Sequence, residues 1–444
     1  MSALISKKSN ALKGHIKIPG DKSISHRALM FGALTIGETM ISGLLEGEDV
    51  LHTAEAMRKL GAKIEKSSDG LWRTWGVGVG GLKQPSSALE MGNSGTSTRL
   101  LIGLVGGHHI SAKFTGDASL SARPMKRVIT PLEMMGAEFE ATNGDKLPLT
   151  VNGPEHLLSI EYQTPVASAQ VKSAILLAGL NARGTTTVIE EKPTRDHTEK
   201  MLQAFGVKVK TETLQNGAYA ISIVGEQELQ PGAVDVPGDP SSAAFPAVAA
   251  LLHDGSELML PNITMSDRRN GIYITLKEMG ADIEFLNERI QAGEPVADLK
   301  VLGSGALKGI DVDPARVPSM IDEFPILAMA AACADGTTKM TDLAELRVKE
   351  SDRLAMVAEG LKACGVDLEM GEDWLTIHGN GKAPKGGATI KTALDHRIAM
   401  SFLVLGSVSE EPIAIDDGAP IKTSFPNFLE VMDEIGCDIG EHHE

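Results

Sequence analysis

Residues 54–65 read AEAMRKLGAKIE, and the same grammar returns five more times: ITPLEMMGAEFE at 129–140, TEKMLQAFGVKVK at 198–210, YITLKEMGADIE at 273–284, VAEGLKACGVDLE at 357–369 and FLEVMDEIGCDIG at 428–440. Each copy is an apolar-striped stretch closed by a glycine (Gly61, Gly136, Gly206, Gly280, Gly365 and Gly436) and followed by an alternating run. Glycine accepts the left-handed backbone at a helix C-terminus without a Cβ penalty, so each copy predicts a helix that stops and passes into a strand. With 70 to 85 residues between successive glycines, one α/β unit is used six times.

A second repeat is nested in the first. Apolar helices are expected directly after small or polar segments in PGDKSISHRALMFGAL from residue 19, GNSGTSTRLLIGLVG from 92, VASAQVKSAILLAGL from 166, PGDPSSAAFPAVAALL from 237, SMIDEFPILAMAAACA from 319 and LDHRIAMSFLVLGSV from 394. These runs are apolar nearly all round and read as buried, whereas TEKMLQAFG mixes charge with an apolar stripe and reads as a surface helix. Each unit should carry one of each over a small sheet.

Two of the helix starts are near copies, IKIPGDKS at 16–23 and VDVPGDPS at 234–241, 218 residues apart. A chain of 444 residues is too long for one ordinary core. The Pro-Gly-Asp steps therefore suggest two three-unit domains, residues 20–236 and residues 1–19 plus 237–444, with the crossings near Pro19 to Asp21 and Pro237 to Asp239.

Composition excludes several function classes. Acidic residues outnumber basic ones by 59 to 42, a net charge of −17 that disfavours nucleic acid or an anionic membrane as partner. The three cysteines, Cys333, Cys364 and Cys437, form neither a metal motif nor an even disulfide set. The N-terminal segment MSALISKKSNALKGHIKI does not resemble a signal peptide, so a soluble cytoplasmic protein is expected.

In such an acidic chain, an anion site has to be a local concentration of cations. Helix N-termini supply unpaired N–H groups and partial positive charge, which suits anions. The first start offers Lys22, Ser23 and Arg27, and the second offers Asn93, Ser94, Gly95 and Thr96 ahead of Arg99. Arg123 stands before a proline, and the third start brings Ser168, Ala169, Gln170 and Lys172. Arg195, Asp196 and His197 open a surface helix, where Asp196 reads equally well as a plain cap.

Asp322 and Glu323 sit at the mouth of an apolar helix, where a buried carboxylate would suit a general base and an aspartate would also suit an N-cap. Lys349, Glu350, Asp352 and Arg353 crowd one short stretch that reads alternatively as a charged, exposed first turn. Asp395, His396 and Arg397 open the last buried helix. Seven cations at or near element starts (Lys22, Arg27, Arg123, Arg195, Lys349, Arg353 and Arg397) suit a substrate pair bearing two phosphates and two carboxylates, about −5 to −6 in total.

Taken in order, DKSISHR, GNSGT, ASAQVKSA, TRDHTEKM, PSMIDE, RVKESDRL and LDHRIAM make the chain resemble the EPSP synthases, 3-phosphoshikimate 1-carboxyvinyltransferases, and within them the bacterial glyphosate-tolerant class. The resemblance runs almost end to end. It implies a two-domain inside-out α/β barrel, the enolpyruvyl transferase fold, with six βαβαββ units, three per domain, and substrates taken between the domains. It also implies transfer of the enolpyruvyl group of phosphoenolpyruvate to the 5-hydroxyl of shikimate 3-phosphate, on the route to chorismate and aromatic amino acids. No metal or organic cofactor is implied, and a monomer that closes on shikimate 3-phosphate is expected.

By the same resemblance, Lys22, Ser23, Arg27, Ser168, Ala169, Gln170, Arg195, Asp322 and Lys349 match shikimate 3-phosphate positions, and Lys22, Gly95, Arg123, Gln170, Arg353 and Arg397 match phosphoenolpyruvate positions. Asp322 matches the proton acceptor for the attacking hydroxyl, and Glu350 with Lys22 matches groups that move protons at the methylene carbon and the leaving phosphate.

Two departures stand out. The family's Lys-Thr-Phe-Pro segment is here Lys422-Thr423-Ser424-Phe425-Pro426, so Thr423 takes the usual lysine position and Lys422 receives no role. Gly95 stands where tolerant relatives can carry alanine, which implies inhibition by glyphosate. One rival is the sister enolpyruvyl transferase acting on UDP-N-acetylglucosamine, which usually carries a cysteine on the loop that here reads FTGDASLSARP. Another is a non-catalytic module binding anionic metabolites, which could dispense with Asp322 and Glu350.

Overall fold

The structure, a computed structural model, describes residues 3–442. The chain forms two compact units. Unit two comprises Gly20–Val236 with Gln291–Glu294, and unit one comprises the segment through Pro19, Pro237–Ile290 and the chain from Pro295 onward.

All six repeat glycines take positive φ, from +83° at Gly365 to +106° at Gly61. The helix that each one ends lies at the surface with a charged outer face. In Glu48–Lys59, for instance, Glu48 and Asp49 open the first turn and Arg58 and Lys59 close the last, matching the helix dipole. The other helix of each repeat is buried, and in Pro240–Leu252 and Phe324–Cys333 every residue is buried.

Among the described residues there are six small sheets, three per unit, five of four strands and one of three. In the middle repeat of unit two, Leu89–Glu90 runs parallel to Ser111–Thr115 with the buried helix Gly95–Gly106 between them. Lys146–Asn152 then pairs antiparallel with Ser111–Thr115 and with Glu138–Thr142. The third repeat follows suit, Glu161–Gln163 lying parallel to Thr185–Glu190.

The first repeat of unit two takes its parallel strand from the far end of the segment, Ala233–Asp235 beside Glu38–Ser42. In unit one, Lys13–His15 lies parallel to Glu257–Thr264. The strand of the second repeat that would pair with Asp335–Met340 shrinks to bridges at Lys308 and Asp311. The last repeat inserts Leu4–Lys7 between Ile413–Ile415 and Asp438–Glu441, antiparallel to both. Among the described residues two strands thus precede the first crossing, Leu4–Lys7 and Lys13–His15.

A second glycine series has no counterpart in the sequence reading. A Cβ on Gly76, Gly153, Gly225, Gly303 or Gly379 would lie 1.7 to 2.4 Å from a backbone oxygen at the end of a buried helix, for example His108 O for Gly153. Bare backbone lets the chain pass close to that helix end in these five repeats.

Each unit has its own continuous apolar core, built on its three buried helices and the inner faces of its sheets. Among the described residues no helix is long and apolar enough to cross a membrane, and no cluster of three or more His, Cys, Asp or Glu side chains could hold a metal ion.

Candidate active site

In unit two the three buried helices begin at Lys22, Gly95 and Ala169, and side chains at those starts are tied to one another. Asp21, Ser94 and Ser168 cap them, accepting from the N–H groups of Ile24, Ser97 and Val171. The first and second starts meet where His26 Nδ1 lies 2.8 Å from Thr53 Oγ1 and 3.2 Å from Ser97 Oγ. Burial, with Lys22 and Arg27 nearby, pushes the His26 pKa well below its usual value, so the ring is neutral at pH 7.

The second and third starts are joined through Gln170, whose Oε1 accepts from Arg99 Nη1 at 2.7 Å while its Nε2 donates to Thr96 Oγ1 at 3.0 Å. Gly95 lies beneath two guanidinium groups: a methyl there would sit 3.1 Å from Arg123 Nη1 and 3.2 Å from Arg99 Nη1. Arg123 is buried rather than solvated, and its Nη2 donates to Asn93 Oδ1 at 2.5 Å and to Ser119 Oγ at 3.1 Å.

Arg27 joins the first start to the third and to the segment 194–200. Its Nη2 donates to Ser173 Oγ at 2.9 Å, its Nε to Thr198 Oγ1 at 2.8 Å, and its Nη1 to Ser23 O at 3.0 Å. Burial brings its pKa down to about 10, still protonated at neutral pH. Lys22 forms an ion pair with Asp49, a residue the sequence reading passed over. Lys172 is buried between Glu190 and Glu199 at 2.9 and 2.7 Å, which makes it a structural ion triad. Asp196 provides no side-chain cap and pairs with Lys200 at 2.9 Å instead. Arg195 lies half-buried directly before the helix His197–Ala204.

In unit one, five of the predicted residues form a single cluster. Asp322 occupies a 3-10 turn, Ile321–Glu323, and does not cap the following helix. Its Oδ1 lies 3.1 Å from Lys349 Nζ and 3.2 Å from Arg353 Nη1. Arg353 is buried rather than part of an exposed turn; its Nη2 is 2.6 Å from Glu350 Oε2, and its Nε is 2.8 Å from Asp395 Oδ2. Burial disfavours the Arg353 charge, but Asp395, Glu350 and Asp322 outweigh that and raise its pKa. Asp395 behaves in mirror image: burial raises its pKa, and Arg353 brings it below the ordinary value.

Arg397 Nη1 donates to Asp322 O at 2.8 Å and lies 3.2 Å from Glu323 Oε1. Glu323 is buried and accepts from Ser241 Oγ, which in turn accepts from Arg269 Nη2 at 2.9 Å. Lys422 is exposed in the short turn Ala419–Thr423. The cluster therefore offers two carboxylates, Asp322 and Glu350, on either side of one permanently charged guanidinium. Such an arrangement can accept a proton at one point and deliver one at another.

The EPSP synthase (3-phosphoshikimate 1-carboxyvinyltransferase) family model matches residues 6–432. The chain belongs to the EPSP synthase family. It is 58% identical over 436 residues to the 3-phosphoshikimate 1-carboxyvinyltransferase of Parvibaculum lavamentivorans, covering 98% of this chain and 96% of that one. The Zymomonas mobilis enzyme of the same name is 58% identical over 439 residues, with 98% and 96% covered.

Among solved structures, EPSP synthase from Acinetobacter baumannii superposes with a TM-score of 0.89 at 46% identity, both chains fully covered. The enolpyruvyl transferase NikO from Streptomyces tendae superposes at 0.76 with only 17% identity over 99% of this chain and 98% of that one, a likeness of fold alone. The chain thus has the α/β fold of the enolpyruvyl transferases.

Proposed function

We propose that this chain transfers the enolpyruvyl group of phosphoenolpyruvate to the 5-hydroxyl of shikimate 3-phosphate and releases phosphate. The observation that carries the chemistry is Asp322 held between Lys349 and Arg353, with Glu350 on the same guanidinium. Asp322 takes the proton of the attacking hydroxyl as it adds to C2 of phosphoenolpyruvate. Glu350, with Lys22, supplies and later removes the proton at C3, so that the tetrahedral intermediate collapses by expelling phosphate.

In this reading shikimate 3-phosphate is bound by Lys22, Ser23, Arg27, Ser168, the Ala169 backbone, Gln170, Arg195, Asp322 and Lys349. Phosphoenolpyruvate is bound by Lys22, the Gly95 backbone, Arg123, Gln170, Arg353 and Arg397. Support comes from the way helix N-termini and guanidinium groups converge in unit two and from the Asp322 cluster in unit one. Glyphosate inhibition belongs to the same reading, because Gly95 leaves open the space beside Arg123 and Arg99 that a methyl would fill. The working form is a monomer in the cytoplasm; equilibrium sedimentation at micromolar concentration tests the first point.

The deciding experiment measures phosphate release from phosphoenolpyruvate with shikimate 3-phosphate or UDP-N-acetylglucosamine as acceptor. Turnover only with the first is expected. Turnover only with the second, or binding without turnover, overturns the reading.

A further inference from the structure

The strands Asp282–Gln291 and Glu294–Leu302 form a hairpin of a unit one sheet, yet its tip, Gln291–Glu294, belongs to unit two. The chain therefore changes unit at residues 290/291 and 294/295 as well as at the two Pro-Gly-Asp steps. The tip does more than touch: it delivers a carboxylate that is fully buried, since Glu294 has 0% exposure.

Glu294 Oε1 lies 2.6 Å from His197 Nδ1, and Oε2 lies 3.1 Å from Lys200 Nζ. Gln291 secures the other side of the tip, its Nε2 donating to Asp235 Oδ2 at 2.9 Å. His197 and Lys200 stand on the first turn of the helix that begins just after Arg195. Neighbours along that turn are pinned in their own ways: Thr194 donates to Glu190, Thr198 accepts from Arg27, and Glu199 pairs with Lys172. A buried carboxylate carries a large desolvation cost, which its two basic partners must offset. They do so here, because burial would push the Glu294 pKa up whereas His197 and Lys200 bring it down to about 2.

We propose that Glu294 is a positioning residue: seated by the hairpin tip, it fixes the helix turn that aims Arg195 at the phosphorylated substrate. The inference rests on the reading that Arg195 binds shikimate 3-phosphate. Misplacing a binding group by about 1 Å can cost up to ~100-fold, and a purely binding role appears in KM rather than in kcat.

The test is steady-state kinetics in both substrates on the full chain for Glu294→Ala, Glu294→Gln and Arg195→Ala. For Glu294→Ala we expect KM for shikimate 3-phosphate to rise about tenfold, with KM for phosphoenolpyruvate and kcat within about threefold. Glu294→Gln keeps an acceptor for His197 and should recover at least half of that loss on a logarithmic scale. An unchanged KM for shikimate 3-phosphate in Glu294→Ala, or an equal rise for both substrates, overturns the proposal.

Arg195→Ala separates the two levels of the inference. If it raises KM for shikimate 3-phosphate while Glu294→Ala does not, only the positioning role fails; if Arg195→Ala is itself silent, the binding assignment beneath it fails. Should Glu294→Ala not fold, Lys200→Met takes its place: a rise of about threefold or more, selective for shikimate 3-phosphate, supports the role, and no rise overturns it.

Discussion

Arg353 and Asp395 are buried face to face, with Nε 2.8 Å from Oδ2 and Nη2 3.3 Å from Oδ1. The same guanidinium reaches Asp322 and Glu350, so Asp395 acts as a further counter-charge for a cation that stands between two other carboxylates. Asp395→Ala would leave that buried cation short of counter-charge on its inner side, where Arg353 and Asp395 are 1% and 0% exposed. Breaking a buried pair in this way costs about 3–5 kcal/mol. Urea denaturation should show a loss of that order; a loss below about 1 kcal/mol would mean that Asp322 and Glu350 suffice on their own.

Asp322→Ala separates chemistry from binding. If Asp322 is the base for the attacking hydroxyl, as proposed, its loss should lower kcat by about the 10²–10⁴-fold that general bases typically contribute, with a much smaller change in substrate Kd. Calorimetric titration with shikimate 3-phosphate beside a phosphate-release assay makes the comparison. The opposite pattern would reduce Asp322 to a binding group.

Gly95→Ala places a methyl 3.1 Å from Arg123 and 3.2 Å from Arg99, closer than ordinary contact, so both guanidinium groups must give way. We expect the inhibition constant for glyphosate to rise about tenfold or more, accompanied by a smaller rise in KM for phosphoenolpyruvate. Equal inhibition constants for wild type and variant would remove Gly95 from the inhibitor site.

The depressed Glu294 pKa also predicts a pH dependence of stability. Its folded value of about 2 lies below the 4.5 of an ordinary glutamate, so its contribution is complete above pH 4.5 and lost as pH falls towards 2. The full span corresponds to something on the order of 3 kcal/mol. Denaturation midpoints measured from pH 6 to pH 3 should therefore fall more steeply for wild type than for Glu294→Gln; parallel curves would contradict the assignment.

Local signals made the repeat legible. A glycine that ends a helix is visible because its φ requirement is met within a few residues, and all six of those glycines do take positive φ. The motifs at helix starts were equally readable, and Asp322, Lys349, Glu350, Arg353 and Arg397 come together in one cluster. The sequence left open whether Arg353 lay on an exposed turn and whether Asp322 capped a helix, since both depend on burial by distant segments. Asp49 and Glu294 went unread for a related reason. Each owes its partner to folding, across 27 residues for Asp49 and Lys22 and 97 for Glu294 and His197. The second glycine series, from Gly76 to Gly379, was hidden because its constraint is a carbonyl at the end of a helix rather than a turn.

The strand Leu4–Lys7, held between Ile413–Ile415 and Asp438–Glu441, has a consequence for the order of assembly during synthesis. Every strand and helix of unit two has left the ribosome once residue 294 has emerged, including the tip that carries Glu294. Unit one holds its earliest strand in reserve until its latest one exists, about 150 residues further on, or roughly 7–30 s at usual elongation rates. A nascent chain stalled between these points should protect the helices of unit two from protease while leaving residues 4–7 open to cleavage.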